Sequence, residues 1–153
     1  MCSWEILRKI KGLAARTAEK KDSNQPLDPT GGTTLAHGKL AEDRALALLQ
    51  AAGLKLITRN YRTPGRGGGE IDLIMRERDG TVVFVEVRSR GRSDFGGAGA
   101  SIGSAKRQRI VFAARFYLAA LAAPPPCRFD AVLLEPEPHW LKGAFDASEW
   151  LNI

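Results

Sequence analysis

Between Gly67 and Arg90 the chain reads GGGEIDLIMRERDGTVVFVEVRSR, an alternation of side-chain types that fits a pleated hairpin and little else. Ile71, Leu73 and Met75 alternate with Glu70, Asp72 and Ile74, and Val83, Val85 and Val87 alternate with Val82, Phe84, Glu86 and Arg88. One face is apolar throughout. The other begins apolar beside the turn, at Ile74, Val82 and Phe84, and ends charged at Glu70, Asp72, Glu86 and Arg88. A sheet face that turns from apolar to acidic along its length marks a candidate site.

The turn sets the register. A two-residue turn at Asp79 and Gly80 would put Asp72 and Glu86 on opposite faces and break the apolar one. A three-residue loop of Arg78, Asp79 and Gly80, with Gly80 left-handed, instead sets Glu77 opposite Thr81. Ile74 then meets Phe84, Asp72 meets Glu86 and Glu70 meets Arg88, while Ile71, Leu73 and Met75 share the other face with Val83, Val85 and Val87. Carboxylates opposed in this way, with Cβ atoms roughly 5 Å apart, destabilise a sheet unless something compensates. One compensation is a hard divalent cation held by Asp72, Glu86 and the Val87 backbone carbonyl. The other is a surface network in which Arg62, Arg88 and Arg90 neutralise the pair. The residues alone leave both open.

The flanking segments supply two helices and further strands. From about Leu35 to Ala52 an apolar stripe of Ala41, Ala45, Leu48, Leu49 and Ala52 predicts a helix ended by Gly53, with Glu42 at the edge of the stripe and Asp43 and Gln50 pointing away. A glutamate there also suits the helix dipole without any further role. Leu54 to Tyr61 reads as a first strand, and TPGRGGG as a mobile loop without the spacing of a nucleotide-binding fingerprint. After a second glycine-rich segment, a helix from about Ser104 to Ala122 carries Ile110, Ala113, Ala114, Tyr117 and Leu121 on one face. Lys106 lies on that face one turn earlier, where it needs either an anionic partner or a path past the edge of the core. Arg128 to Leu134 is a further strand and His139 to Phe145 a short last one. Strands alternating with helices in this order give an α/β layered domain.

A chain of 153 residues suffices for one domain. Residues 35–153 are read as that domain and residues 1–34 as a basic appendage and linker, expected to be disordered, whose Trp4 to Ala18 has the spacing of a short amphipathic helix. Cys2, Cys127, His37 and His139 are scattered without metal-ligand spacing, and neither a membrane span nor a secretory signal is apparent, so a reducing cytoplasm is expected. The net charge is +6, of which +4 falls in residues 1–21. Within the rest, Arg88, Arg90, Arg92, Lys106, Arg107 and Arg109 stand close in sequence against the single acid Asp94, a local charge suited to a phosphate partner or to a solvated basic face.

An acid, a hairpin and then Glu86-Val87-Arg88 on a buried strand resemble the PD-(D/E)xK nuclease superfamily. More closely, NYRTPGRGGGEIDLIMRERDGTVVFVEVRSR, the later SIGSAKRQRI and RFDAVLL are similar to the YraN-like family of predicted endonucleases related to archaeal Holliday-junction resolvases, over about Gly38 to Ala147. The resemblance implies a restriction-endonuclease-like three-layer core, a mixed β-sheet flanked by helices. It implies Glu42, Asp72 and Glu86 as an acidic cluster for Mg2+ or Mn2+, and a reaction in which metal-activated water hydrolyses DNA phosphodiester bonds, branched DNA included. Arg88 stands where lysine is usual, and guanidinium cannot act as a general base; Lys106 is the candidate to supply an ammonium instead. Gly103 stands where the family often has threonine. The expected partner is DNA, with Arg90, Arg92, Arg107 and Arg109 on backbone phosphates, and a homodimer is expected from junction resolution. A non-catalytic nucleic-acid-binding module with the same acidic residues is the alternative, and an interaction protein whose acidic cluster is structural is a third reading.

Overall fold

Amphipathic periodicity and a glycine stop explain the first helix. In a computed structural model that describes residues 32–65, 67–89 and 102–147, and side chains of the first helix from residue 36 on, α1 spans Gly32–Ala51. It buries Ala41, Ala45 and Leu49. Gly53, at φ 96°, takes the left-handed conformation that ends the helix, and its N–H donates to the Gln50 carbonyl at 2.9 Å. The strands are β1 Lys55–Arg62, β2 Glu70–Arg76 and β3 Val82–Arg88. Helix α2, Ser104–Ala119, is followed by β4 Cys127–Leu133 and β5 His139–Leu141. The second helix stops three residues short of the expected Ala122. Its end tightens into bonds from Ala120 N–H to Tyr117 and from Leu121 N–H to Leu118 ahead of the prolines. The expected appendage over residues 1–34 lies almost wholly outside the described residues, as do Arg90 and Arg92.

The five strands form one mixed sheet in the order β1-β2-β3-β4-β5, antiparallel except for the parallel β3–β4 pair that α2 connects. Against one face, α1 packs Ala41, Ala45 and Leu49 on Leu73, Met75, Val83, Val85 and Val132. Against the other, α2 packs Ile110, Val111, Ala113 and Ala114 on Ile74, Val82, Phe84, Phe129 and Ala131. Helix, sheet and helix make three layers, the α/β arrangement of a restriction-endonuclease-like core. Phe84 anchors the second interface: it is fully buried, lies edge-on to Tyr117 at 5.9 Å and stacks on Phe129 at 5.4 Å. Burying such a side chain stabilises the fold by roughly 1.5–3 kcal/mol.

The hairpin has the expected register. Ile74 faces Phe84 and Met75 faces Val83; Gly80 sits at φ 93°, and the Glu77 N–H donates to the Thr81 carbonyl at 2.9 Å. One expectation is corrected. Ile71 does not share a face with Leu73 and Met75 but packs with Ile74, Phe84 and Tyr61 on the α2 side. On β1 the same change occurs between Arg59, which reaches α1, and Tyr61, which joins the α2 cluster. Asn60 stands between them at φ 50°, in the left-handed region that asparagine tolerates better than most residues. Strands β1 and β2 stay in register through this point, Arg59 opposite Leu73 and Tyr61 opposite Ile71. Both strands therefore exchange faces together at Asn60 and Asp72.

Candidate functional site

The site forms where β2 and β3 part. Their ladder runs from the Arg76–Val82 pair to the Leu73–Val85 pair. Beyond it, the Val87 N–H donates to the Asp72 carboxylate at 2.8 Å, so a side chain replaces the backbone partner that the ladder would have supplied. Asp72 and Glu86 adjoin at this opening, and Glu86, 4% exposed, is among the few buried charged residues described.

Lys106 reaches the pair from the first turn of α2. Its Nζ lies 3.2 Å from Glu86 Oε2. Of the two explanations that the helical wheel allows for Lys106, the anionic partner holds. The ammonium favours the ionised carboxylate by its charge and by hydrogen bonding, and Oε2, a buried acceptor, meets no other donor. Arg88 is more distant, with Nη1 3.9 Å from Glu86 Oε1.

These surroundings raise both carboxyl pKa values. Burial is the main cause for Asp72, opposed by the Val87 N–H and by the Lys106 charge. Glu86 is pushed up to about 7, by burial first and then by the Asp72 charge, with Lys106 opposing. The two groups also hydrogen-bond: protonated Glu86 donates to ionised Asp72, which favours the proton on Glu86. Near neutral pH Glu86 is poised between its neutral and ionised forms.

Glu42 is not gathered with this pair. Its Oε2 accepts from Asn60 Nδ2 at 3.0 Å and lies 3.6 Å from Arg59, whose Nη2 donates to Asp43 at 2.6 Å. Among the described residues, no group of three or more His, Cys, Asp or Glu side chains is close enough to hold a metal ion. The implied three-carboxylate set is thus two carboxylates and a third residue tethered in the chain's own network. Glu70 pairs with Arg62 at 2.9 Å across β1–β2 rather than with Arg88. Arg107 donates from Nε to the Ile102 carbonyl at 2.7 Å and lies over the Phe145 ring, so it holds the start of α2 to the end of the chain's core. Arg109 is exposed.

Two features escape a reading of the sequence. Asn60 looks like an ordinary strand residue there, although asparagine's tolerance of positive φ is the available signal. Asp130 lies fully buried within the apolar run RFDAVLL, and such a charge calls for dedicated partners. It accepts from Arg128 Nε at 2.7 Å and Nη2 at 2.9 Å, from Trp140 Nε1 at 2.9 Å and from the Gly143 N–H at 2.9 Å. Arg128 also donates to Glu77 beside the hairpin turn. This network is saturated and structural, and it ties β5 and the turn together.

Comparison with known proteins places the chain among close relatives. The model of the Uncharacterised protein family UPF0102 matches residues 41–134, which include Glu42, Asp72, Glu86 and Lys106. A "UPF0102 protein" of Acidovorax sp. (strain JS42) is 72% identical over 117 residues, covering 76% of this chain and 89% of the relative. One from Paracidovorax citrulli (strain AAC00-1) is 72% identical over 116 residues, covering 75% and 86%. One from Polaromonas naphthalenivorans (strain CJ2) is 55% identical over 130 residues, covering 78% and 85%. Among the described residues no helix is long and apolar enough to cross a membrane.

Proposed function

The chain belongs to the UPF0102 family, the YraN-like group, and on that footing we propose that it is a metal-dependent endonuclease hydrolysing DNA phosphodiester bonds, branched DNA among its substrates. The observation that carries the reading is the adjoining Asp72 and Glu86 carboxyls at the opening of the sheet, with Glu86 Oε2 buried and met only by the Lys106 ammonium. Two adjoining carboxyl groups whose ionisation burial opposes fit a hard divalent cation. Asp72, Glu86 and the Val87 carbonyl would hold it. An extended residue directs its N–H and C=O toward the same neighbouring strand, so the Val87 carbonyl faces β2 as its N–H does. When bound, Mg2+ or Mn2+ supplies an activated water and stabilises charge developing on the phosphate.

The chain's own groups do the rest. Glu86 loses its proton near neutral pH, which completes the anionic site. Lys106, 3.2 Å from Glu86, is the ammonium available to hold a phosphate oxygen or orient water, and Arg88 adds a fixed positive charge that cannot accept a proton. Arg109 contributes a backbone-phosphate contact.

The test is cleavage of labelled linear, single-stranded and four-way-junction DNA by the wild type, Asp72→Ala and Glu86→Ala, with Mg2+, Mn2+ or chelator. Metal-dependent cleavage abolished in both variants is expected. Cleavage that persists in them would come from a contaminant and would remove the assignment. The tether of Glu42 on Asn60 favours a second reading, a nucleic-acid-binding module without cleavage; steeply salt-dependent binding with no product would support it.

A further inference from the structure

The outward side of α2 carries a surface unused by the acidic site. Phe112 is 51% exposed and is one of two large hydrophobic side chains so exposed among the described residues. Its neighbours three and four positions away are Gln108, Arg109, Arg115 and Phe116, which share its side of the helix. Gly67, Gln108, Arg109, Phe112 and Arg115 line a groove of about 500 Å³. No acidic residue lines it, and among the described residues neither Arg109 nor Arg115 is paired with a carboxylate. Phe116 meets one part of the Phe112 ring at 6.2 Å and a tilt of 39°, leaving the rest of the ring open.

We infer that this groove binds an unpaired nucleic-acid strand, with Phe112 as the platform on which a base stacks and Arg109 and Arg115 as contacts to the phosphates on either side. The inference rests on the proposed nucleic-acid substrate and adds its single-stranded character. An aromatic ring flanked by two guanidinium groups without carboxylate partners matches a base between two phosphates, and it does so for any base because each has a π-face. The Gln108 amide offers donors and an acceptor to a base edge. A duplex conceals the faces of its bases, so Phe112 would have nothing to stack on there.

The groove and the acidic site share α2. Phe112 lies six residues after Lys106 on the same helix, about 9 Å along its axis. The loop bearing Gly67 closes onto α2 because Gly69 lacks a side chain: a Cβ there would collide with the Arg109 carbonyl. The next residue, Glu70, begins β2, and Asp72 follows on the same strand. A nucleic-acid strand bound in the groove is thereby held against the helix that carries Lys106 and the loop that leads into the strand of Asp72.

Fluorescence anisotropy with labelled oligothymidine, in chelator so that no cleavage intervenes, tests this on the full chain. Phe112→Ala is expected to weaken binding by about 5- to 150-fold, the worth of one base stack. Phe112→Trp should retain affinity and Phe112→Leu, apolar but without a ring, should not. Replacing Arg109 and Arg115 together by Gln should lower the salt slope by about 1.4, or 0.7 for each phosphate no longer neutralised. Unchanged affinity in Phe112→Ala, or a wild type that binds duplex but not oligothymidine, would overturn the inference. So would Phe112→Ala binding DNA normally while sedimenting differently, which makes the face a contact between copies. The proposed function fails separately: absent cleavage by the wild type with intact, Phe112-dependent binding of oligothymidine would sink only the nuclease reading.

Discussion

Lys106 Nζ stands 3.2 Å from Oε2 of Glu86, joining the first turn of α2 to the parting strands β2 and β3. Arg88, next but one to Glu86 on β3, comes no closer than 3.9 Å. If cleavage depends on the ammonium, Lys106→Gln should lower kcat by about 100-fold or more, within the usual range for a positioned proton donor or acceptor, and Arg88→Gln should cost less than that. Steady-state kinetics on the DNA that the wild type cleaves decides it. A larger loss in the Arg88 variant would transfer the role to the strand.

The Glu86 carboxyl makes stability depend on pH. Its folded pKa of about 7 lies above the ordinary value of 4.5, so the folded state binds more protons between those values. Stability from this group is fully present below pH 4.5, falls as pH rises to about 7, and is level above it. The difference is up to about 3 kcal/mol, and the raised Asp72 has the same sign. Urea denaturation from pH 4.5 to 8 should show Glu86→Gln gaining on the wild type as pH rises. Mn2+ at one hundred times its dissociation constant should return about 2.7 kcal/mol to the wild type at the upper end and nothing to the variant.

Asn60 combines a left-handed backbone with a hydrogen bond to Glu42. Asn60→Gly keeps the first and removes the second, whereas Asn60→Ala removes both. Thermal denaturation should find the alanine variant the less stable by roughly 1 kcal/mol, the ordinary cost of placing a β-carbon at positive φ. Equal stability would mean that the strand relaxes freely there.

Asp130 has four donors at its buried carboxylate. Asp130→Ala leaves the Arg128 charge and the Trp140 N–H without that partner and should destabilise by about 3–5 kcal/mol. Because Asp130 alternates with Phe129 and Ala131, which face α2, it belongs to the other face of the sheet, and oligonucleotide affinity of the folded fraction should be unchanged. A milder loss in denaturant would indicate that Glu77 alone suffices for Arg128.

Gly69→Ala should cost at least about 1–3 kcal/mol, since the obstruction is the Arg109 backbone carbonyl and not a movable side-chain end. Gly67→Ala meets no atom but is held at φ 83°, so its cost is local strain. Urea titration of both separates close approach from conformational strain.

Alternation and one glycine were enough to set the hairpin in the sequence. A one-residue slip would have moved every side chain to the other face, and Gly80 was the residue able to close the three-residue loop. Helical periodicity likewise identified the buried faces of α1 and α2 and placed Lys106 on the inner side, because these patterns are local and repeat within a few residues. Three features required the assembled fold. The change of face at Asn60 and Asp72 depends on two strands bending together, which puts Ile71 with the α2 cluster and leaves Glu42 on Asn60. The meeting of Lys106 with Glu86 depends on the parallel crossover from β3 to β4, which brings α2 back over the sheet. The open ring of Phe112 depends on which apolar residues the sheet had room to cover, and pattern alone cannot distinguish a residue that is buried from one left outside once the layer is full.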